Sequence, residues 1–497
     1  MATDLFFDKL PSTAKTAEVN FEQPVETEIL LADYDAPVFK IVKTTMEHLI
    51  TQKYIMQNKL TIEGFVKVNV CYQSSENHCL NVVTQKIPFQ KQIETGEYDV
   101  NYVDIQGSCQ YVNTRPQNPT RIDLRGAYLF VVRVYSAEIA QVVTAVSSES
   151  VCCDSVQIDC FAMSVQNMRQ FTMENQISLP ENTNKILRVT TNSPTPSVSV
   201  YTDKISVKGE INAEIFYSVT DDDNVHRKSD SFAYNQILDM QGIKENNIVN
   251  TDISVSSFGI SQSGEDKKLT AVITVQIDGF AFSKQQLMAV RDGFSRCYEY
   301  KKESHRQLVD INMHIIDKMM SVQLEQAAPS GYKICDVYLE ISPAKNYFEI
   351  NKTTVKAKLN AYIIAQNQQE EYECFVKTED LVLDWLEKCG RYDEICIRLS
   401  PVNFAYSDNR VSISVSAKGF VIEKRAIELL EGFEENEEKP LQNICEALIL
   451  YYGKKGEKVF DIAKYHNVSP QVVAQENDLE SERLNRDTML FIPAFEQ

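Results

Sequence analysis

The chain is poor in the groups that substrate chemistry needs. It holds six histidines (His48, His78, His226, His305, His314 and His466), none of them in a catalytic motif. Neither GxGxxG nor GxxxxGK followed by Ser or Thr occurs, so no backbone cradle for a phosphate is predicted. CxxC, His-x-His and HExxH are absent, which removes the usual zinc spacings. The acid-rich Asp221–Asn224 lacks the spaced acids and terminal Glu of a calcium loop, and is read as a hairpin turn. No enzymatic activity, metal or other cofactor is expected.

Two other absences bound the setting. No run of about eighteen apolar residues is present to span a bilayer. The opening MATDLFFDKLPSTAKT carries Asp4 and Asp8 and no basic lead into an apolar stretch, so no secretory leader is predicted and a cytosolic location is expected. Cations are also outnumbered, 50 Lys and Arg against 70 acids, for a net charge of −20. A field of that sign repels phosphate backbones and anionic lipid, which argues against nucleic acid and membrane as partners. Attraction of a basic partner stays open beside simple solubility.

What is there is a soluble β-rich chain. At 43% hydrophobic and 24% charged its composition is globular, and 497 residues exceed one core, so three or four domains are expected. Twelve cysteines lie scattered through it, with one vicinal pair, Cys152-Cys153. Several fall on strand-like runs, where a thiol packs as a small apolar group. Reduced, buried, structural cysteine is the reading. The vicinal pair is the sole candidate for reactivity, and no activating cation lies near it in sequence. The aromatic pairs Phe161 with Phe171 and Phe280 with Phe282 lack basic neighbours and are read as core.

A long repeat organises the first two-thirds. KLTIEGFVKVNVCY from Lys59, KISVKGEINAEIFY from Lys204 and KTTVKAKLNAYIIA from Lys352 put Ile62, Val207 and Val355 at one position, 145 and then 148 residues apart. Each run alternates, as a strand with one buried face must. Gly64 and Gly209 suggest a bulge or bend, and Ala357 stands there in the third copy. Upstream lie FKIVKTT, KILRVTT and YKICDVY. Downstream come the long alternating strands Arg121–Val134, Leu269–Phe282 and Val411–Ile422, the last two leading into the tails LMAVRDGF and IELLEGF. VQIDCFAMS from Val156 is close to VQIDGFAFS from Val275. Either copy one carries an insertion near residues 110–150 or two strands are alike by chance.

The expected fold class is mainly β: three tandem β-rich domains and a small βααβ domain. The boundaries are an N-terminal extension over residues 1–19, domains at 20–150, 165–300 and 305–433, a linker at 434–444, and the last domain at 445–497. The linker rests on Glu434, Glu435, Glu437, Glu438 and Pro440, although a solvated extension of the preceding helix fits nearly as well.

In the last domain, apolar runs Leu448–Tyr452 and Met489–Ile492 bracket two helical patterns. Val459, Ile462 and Ala463 give the first an apolar face. Ser469 is placed as the N-cap of the second, its hydroxyl satisfying a free amide, with Pro470 at the first helical position. The order strand, helix, helix, strand, with Gly456-Glu457, Val459-Phe460, Ile462-Ala463, Val468-Ser469, Asn477, Leu479 and Ile492-Pro493, resembles a LysM domain, known for binding N-acetylglucosamine polymers.

Together the repeats, Ile87–Phe89 and this module resemble the SipL-like spore-coat morphogenetic proteins, which carry tandem SPOCS domains and a C-terminal LysM. The resemblance implies a scaffold in the mother-cell cytoplasm, recruited to the forespore surface, whose LysM binds the coat-basement ATPase SpoIVA. Other coat proteins are further possible partners, and peptidoglycan or chitin-type glycans are the alternative. Glycan-binding LysM domains usually read Gly-Asp-Thr in the first loop and Pro-Gly-Gln before the last strand. Here Gly456-Glu457-Lys458 and Asn485–Thr488 stand there, and Lys454, Lys455, Lys458, Glu476 and Asp478 charge the rim. That favours a protein ligand. The predicted groove residues are Lys454, Lys455, Gly456 and Glu457 in the first loop, with Gln475, Asn477 and Leu479 beyond the second helix. Leu479 fits core packing equally, and Gly456 fits a turn alone.

Overall fold

A computed structural model describes residues 4–33, 35–76, 78–180, 183–220, 222–263, 268–348, 353–385, 390, 392–407, 409–441 and 448–493. The fold is mainly β, and its building plan occurs three times. The first repeat runs β1 (Leu5–Leu30), β2 (Val38–Met56), β3 (Lys59–Ser74), β4 (Leu80–Glu94), β5 (Asp99–Asn118) and β6 (Arg121–Val146). It folds into two antiparallel sheets, ordered β1-β6-β5 and β2-β3-β4.

The second repeat holds β7 (Val151–Ile177), β8 (Thr183–Asn192), β9 (Ser197–Tyr201), β10 (Lys204–Val219), β11 (Asp222–Asp239), β12 (Ile248–Ser263) and β13 (Lys268–Ser295). The third holds β14 (Tyr298–Leu324), β15 (Lys333–Ile341), β16 (Lys345–Phe348), β17 (Thr353–Gln366), β18 (Tyr372–Trp385), β19 (Glu394–Ser407) and β20 (Arg410–Pro440). Their sheets repeat the plan, as β7-β13-β12 with β8 and β9 on β10-β11, and β14-β20-β19 with β15 and β16 on β17-β18.

The repeated run seen in the sequence is the central strand, β3, β10 or β17, of the shorter-stranded sheet of each repeat. Ile62, Val207 and Val355 are all fully buried there. Gly64 sits opposite a bulge of β2 between Ile50 and Gln52. A Cβ at Gly64 would stand 2.1 Å from the Leu49 carbonyl oxygen, so the bent neighbour strand requires glycine. At Gly209 the crowding comes instead from the Tyr234 ring.

The outer strands are longer than the alternation predicts. β6, β13 and β20 continue past Val134, Phe282 and Ile422 to Val146, Ser295 and Pro440. Each stays paired along this extension with the first strand of its repeat. The three ribbons β1–β6, β7–β13 and β14–β20 leave their sandwiches and pack on one another. Leu10, Val142, Cys160, Ala289, Val309 and Leu429 share one core across all three. Below it, Tyr135, Phe161, Phe280, Phe282 and Phe420 form an aromatic hub, which confirms the core reading of those rings. Phe171 packs separately, beside Tyr234.

Several expected boundaries move. Residues 1–19 are no extension, since from Leu5 onward they belong to β1 and pair with β6. The second repeat begins at Val151, because VQIDCFAMS lies in β7, antiparallel to the β13 that carries VQIDGFAFS. No insertion interrupts β6. The third repeat spans Tyr298–Pro440. The expected linker from residue 434 is the end of β20, with Glu434 paired to Lys301 and Glu435 to Tyr300. The Ser148, Ser150 and Ser295 hydroxyls donate to the Glu435 carboxylate. Burial works to raise its pKa, but these donors hold it below the usual range. Residues 442–447 lie outside the described residues.

Cys71, Cys160, Cys335 and Cys396 are buried thiols, whereas Cys297 is exposed. Cys389 and Cys445 lie outside the described residues, as does Asp221 of the acid-rich turn. No helix among the described residues is long and apolar enough to cross a membrane.

Candidate functional site

The C-terminal module is built from β21 (Leu448–Gly453), α1 (Val459–His466), α2 (Pro470–Glu476) and β22 (Thr488–Pro493). β21 and β22 pair antiparallel, Tyr451 facing Leu490. Val459, Ile462, Ala463 and Val473 from the helices meet Leu490 and Ile492 from the sheet in one small core. α1 stops where Asn467 takes left-handed φ of 53°, a conformation asparagine tolerates. Ser469 does stand at the N-cap of α2 with Pro470 after it, but its hydroxyl makes no capping bond. It is buried, and its carbonyl instead accepts the Val473 N–H at 3.1 Å.

The first-loop residues meet the segment before β22. Lys454, Lys455 and Gly456 are exposed. Glu457 Oε2 accepts the Lys454 N–H at 3.0 Å and the Tyr451 hydroxyl at 3.3 Å. Asp487 accepts the Lys455 N–H at 2.8 Å, and Gly456 bonds Leu484. Gly456 has φ of 92° with open space around it, so the turn alone accounts for glycine there. Arg483 donates to the Gly456 carbonyl. Thus Arg483 and Asp487, missed in the sequence, are the partners of this loop.

The other predicted groove residues do different work. Asn477 bonds both backbone groups of Phe491, at 2.7 Å each, standing in for a neighbouring strand at the edge of β22. Its amide also reaches the Val473 carbonyl. Leu479 packs against the module core, and Gln475 is exposed. The structure therefore joins Lys454–Glu457 to residues 483–487, and ties Asn477 to β22 instead of that loop.

The helix side of the module is seated on the end of the second repeat. Phe294, fully buried at the end of β13, joins the module core and meets Phe460 at 5.3 Å between ring centroids. Beside it Asp154 on β7 lies directly opposite Asp292 on β13. Two carboxylates facing across a ladder repel. Cations from three elements offset this. Arg291 and Lys458 reach Asp154, at 2.5 and 3.2 Å. Lys302 of β14 and Lys464 of α1 reach Asp292, at 2.6 and 2.5 Å. Burial alone would raise the Asp292 pKa, yet Lys302 and Lys464 hold it below the usual carboxylate range. Nothing in the sequence order links residues 154 and 292 to 458 and 464, so this seat was not legible beforehand. Cys152 and Cys153 are next to it. Cys152 packs on the module core, and burial pushes the Cys153 thiol up to about 11.

Parts of two sandwiches are matched by comparison. Two segments match the SPOCS domain of SipL. They are residues 37–115 and 183–261. The first covers β2 to β5 and the second runs from β8 into β12, so the match falls on equivalent parts of two repeats. The SPOCS match supports a SipL-like protein and a sporulation coat-related role. The third repeat lies outside the two matched segments and shares its sheet plan with the two repeats that contain them. No curated protein and no solved structure matches the chain.

Proposed function

We propose that this chain is a non-catalytic scaffold of endospore coat assembly, with its C-terminal module, read as a LysM domain, as the docking tip. Its partner in this reading is the coat-basement ATPase SpoIVA, met at the forespore surface from the mother-cell cytoplasm. Other coat proteins are candidate partners of the sandwiches. The observation that carries the reading is the SPOCS match in two repeats of like construction. The exposed Lys454 and Lys455 favour a protein ligand over a neutral glycan.

The test is a pull-down with SpoIVA. Deleting residues 448–497 is expected to abolish retention while the sandwiches keep their β-rich circular dichroism. Full retention by the truncated chain sinks the proposal. The βααβ order itself favours a second reading, binding of N-acetylglucosamine polymers. Titrating the full chain with chitin oligomers to millimolar concentration decides it, and absence of binding removes it.

A further inference from the structure

Resting on the proposal that the module is the docking tip, we infer that its partner binds the outer face of the β21–β22 sheet, and that the partner segment is acidic with apolar side chains. Period-two alternation turns Ile449, Tyr451, Leu490 and Ile492 toward the helices. It leaves Leu450, Tyr452, Met489 and Phe491 outside, at 59, 67, 56 and 44% exposure. These four are cross-strand neighbours, Leu450 facing Phe491 and Tyr452 facing Met489. They make one contiguous apolar patch, of a kind that marks interaction sites.

Among the described residues, the rest of the chain does not cover this face. The module turns its helix side to its own chain, through Phe460, Lys458 and Lys464. The sheet lies on the other side of the module core and stays open.

Charge selects the occupant. At the Tyr452–Met489 end of the patch stand three exposed cations, Lys454, Lys455 and Arg486. Two carboxylates stand near them, Glu457 accepting the Lys454 N–H and the Tyr451 hydroxyl and Asp487 accepting the Lys455 N–H, so the cations outnumber these acids three to two. In a chain of net charge −20 this is a local basic rim beside aromatic anchors. An acidic segment gains attraction there, and its apolar side chains bury against Tyr452 and Phe491, residue types that dominate binding energy.

Two full-length variants test this against SpoIVA as the probe. Tyr452→Ser with Phe491→Ser removes the anchors, and Lys454→Glu with Lys455→Glu reverses the rim. Because the latter pair lies in an exposed loop, it guards against a folding defect in the former. Each is expected to weaken binding at least tenfold, and the deficit of the charge variant is expected to shrink in high salt. If deletion of residues 448–497 abolishes binding but both variants bind within twofold of the parent, the face is wrong and the docking-tip proposal stands. If the parent fails to bind, or the deletion binds fully, both fall. Concentration-dependent dimerisation that these variants abolish assigns the face to a second copy of the chain and overturns the inference.

Discussion

Arg398 of the third repeat donates from Nη2 to Asp104 of the first at 2.9 Å, and from Nη1 to Asp252 of the second. One guanidinium therefore bonds carboxylates from both other repeats, an arrangement its planar fork permits and a lysine ammonium reproduces poorly. Gln106, Asp252 and Arg398 stand at equivalent positions of β5, β12 and β19, at steps of 146 residues. Arg133 adds a second cation to Asp104 at 3.1 Å. Burial opposes the charge on Asp104, but Arg398 and Arg133 hold its pKa below the usual range.

Arg398→Ala is expected to cost about 3 kcal/mol, because it leaves a buried carboxylate with one cation in place of two. Arg398→Lys is expected to recover only part of this. Thermal unfolding of the two variants beside the parent checks the order.

A second prediction concerns pH. Asp310 accepts the Thr13 N–H at 2.6 Å and lies 3.3 Å from Lys424, buried where the ribbons meet. Burial raises its pKa to about 6 against the pull of Lys424. The folded chain thus holds a proton there that the unfolded chain releases near pH 4, so this group's contribution falls as pH rises from 4 to 6. Asp310→Asn removes that slope. Its stability relative to the parent is expected to improve by about 2 kcal/mol between pH 4 and pH 7. Melting temperatures across that range measure it, and a pH-independent difference contradicts it.

The seat of the module gives a third. Phe294→Ala empties a fully buried ring position shared with Phe460, at about 3 kcal/mol or more. The partly exposed ion pairs of Asp154 and Asp292 are worth less, about 1 kcal/mol each. Phe294→Ala is therefore expected to free the module far more than Asp154→Asn does. Limited proteolysis separating the module from the sandwiches reads the difference.

Gly64 and Ala357 provide a fourth, within one repeat position. Gly64→Ala drives a Cβ into the Leu49 carbonyl and is expected to cost about 3 kcal/mol. Ala357→Gly only loosens a strand, at about 1 kcal/mol. Chemical denaturation of the two single variants compares them.

The central strands were legible because Ile62, Val207 and Val355 alternate with polar neighbours, a pattern only a half-buried strand satisfies. The distal halves of β13 and β20 were not. LMAVRDGF and IELLEGF are rich in helix formers, and pairing with β7 and β14 overrides that local preference. Glutamates 434 and 435 looked like a linker until lysine and serine partners from distant strands took them up. In the module, strand and helix order followed from pattern, while Asn477 read as a groove residue because its role depends on Phe491, which no local spacing reveals.

The three equivalent ribbons do not end alike. Where the second places Asp154 opposite Asp292, the first has Phe6 opposite Ala145 and the third Glu303 opposite Gly432. Three identical subunits around such a column would offer three seats and carry three tips. Because one polypeptide supplies all three ribbons with different residues at this position, only the second carries the facing acids, and the pseudo-threefold symmetry of the column is broken where the C-terminal module sits.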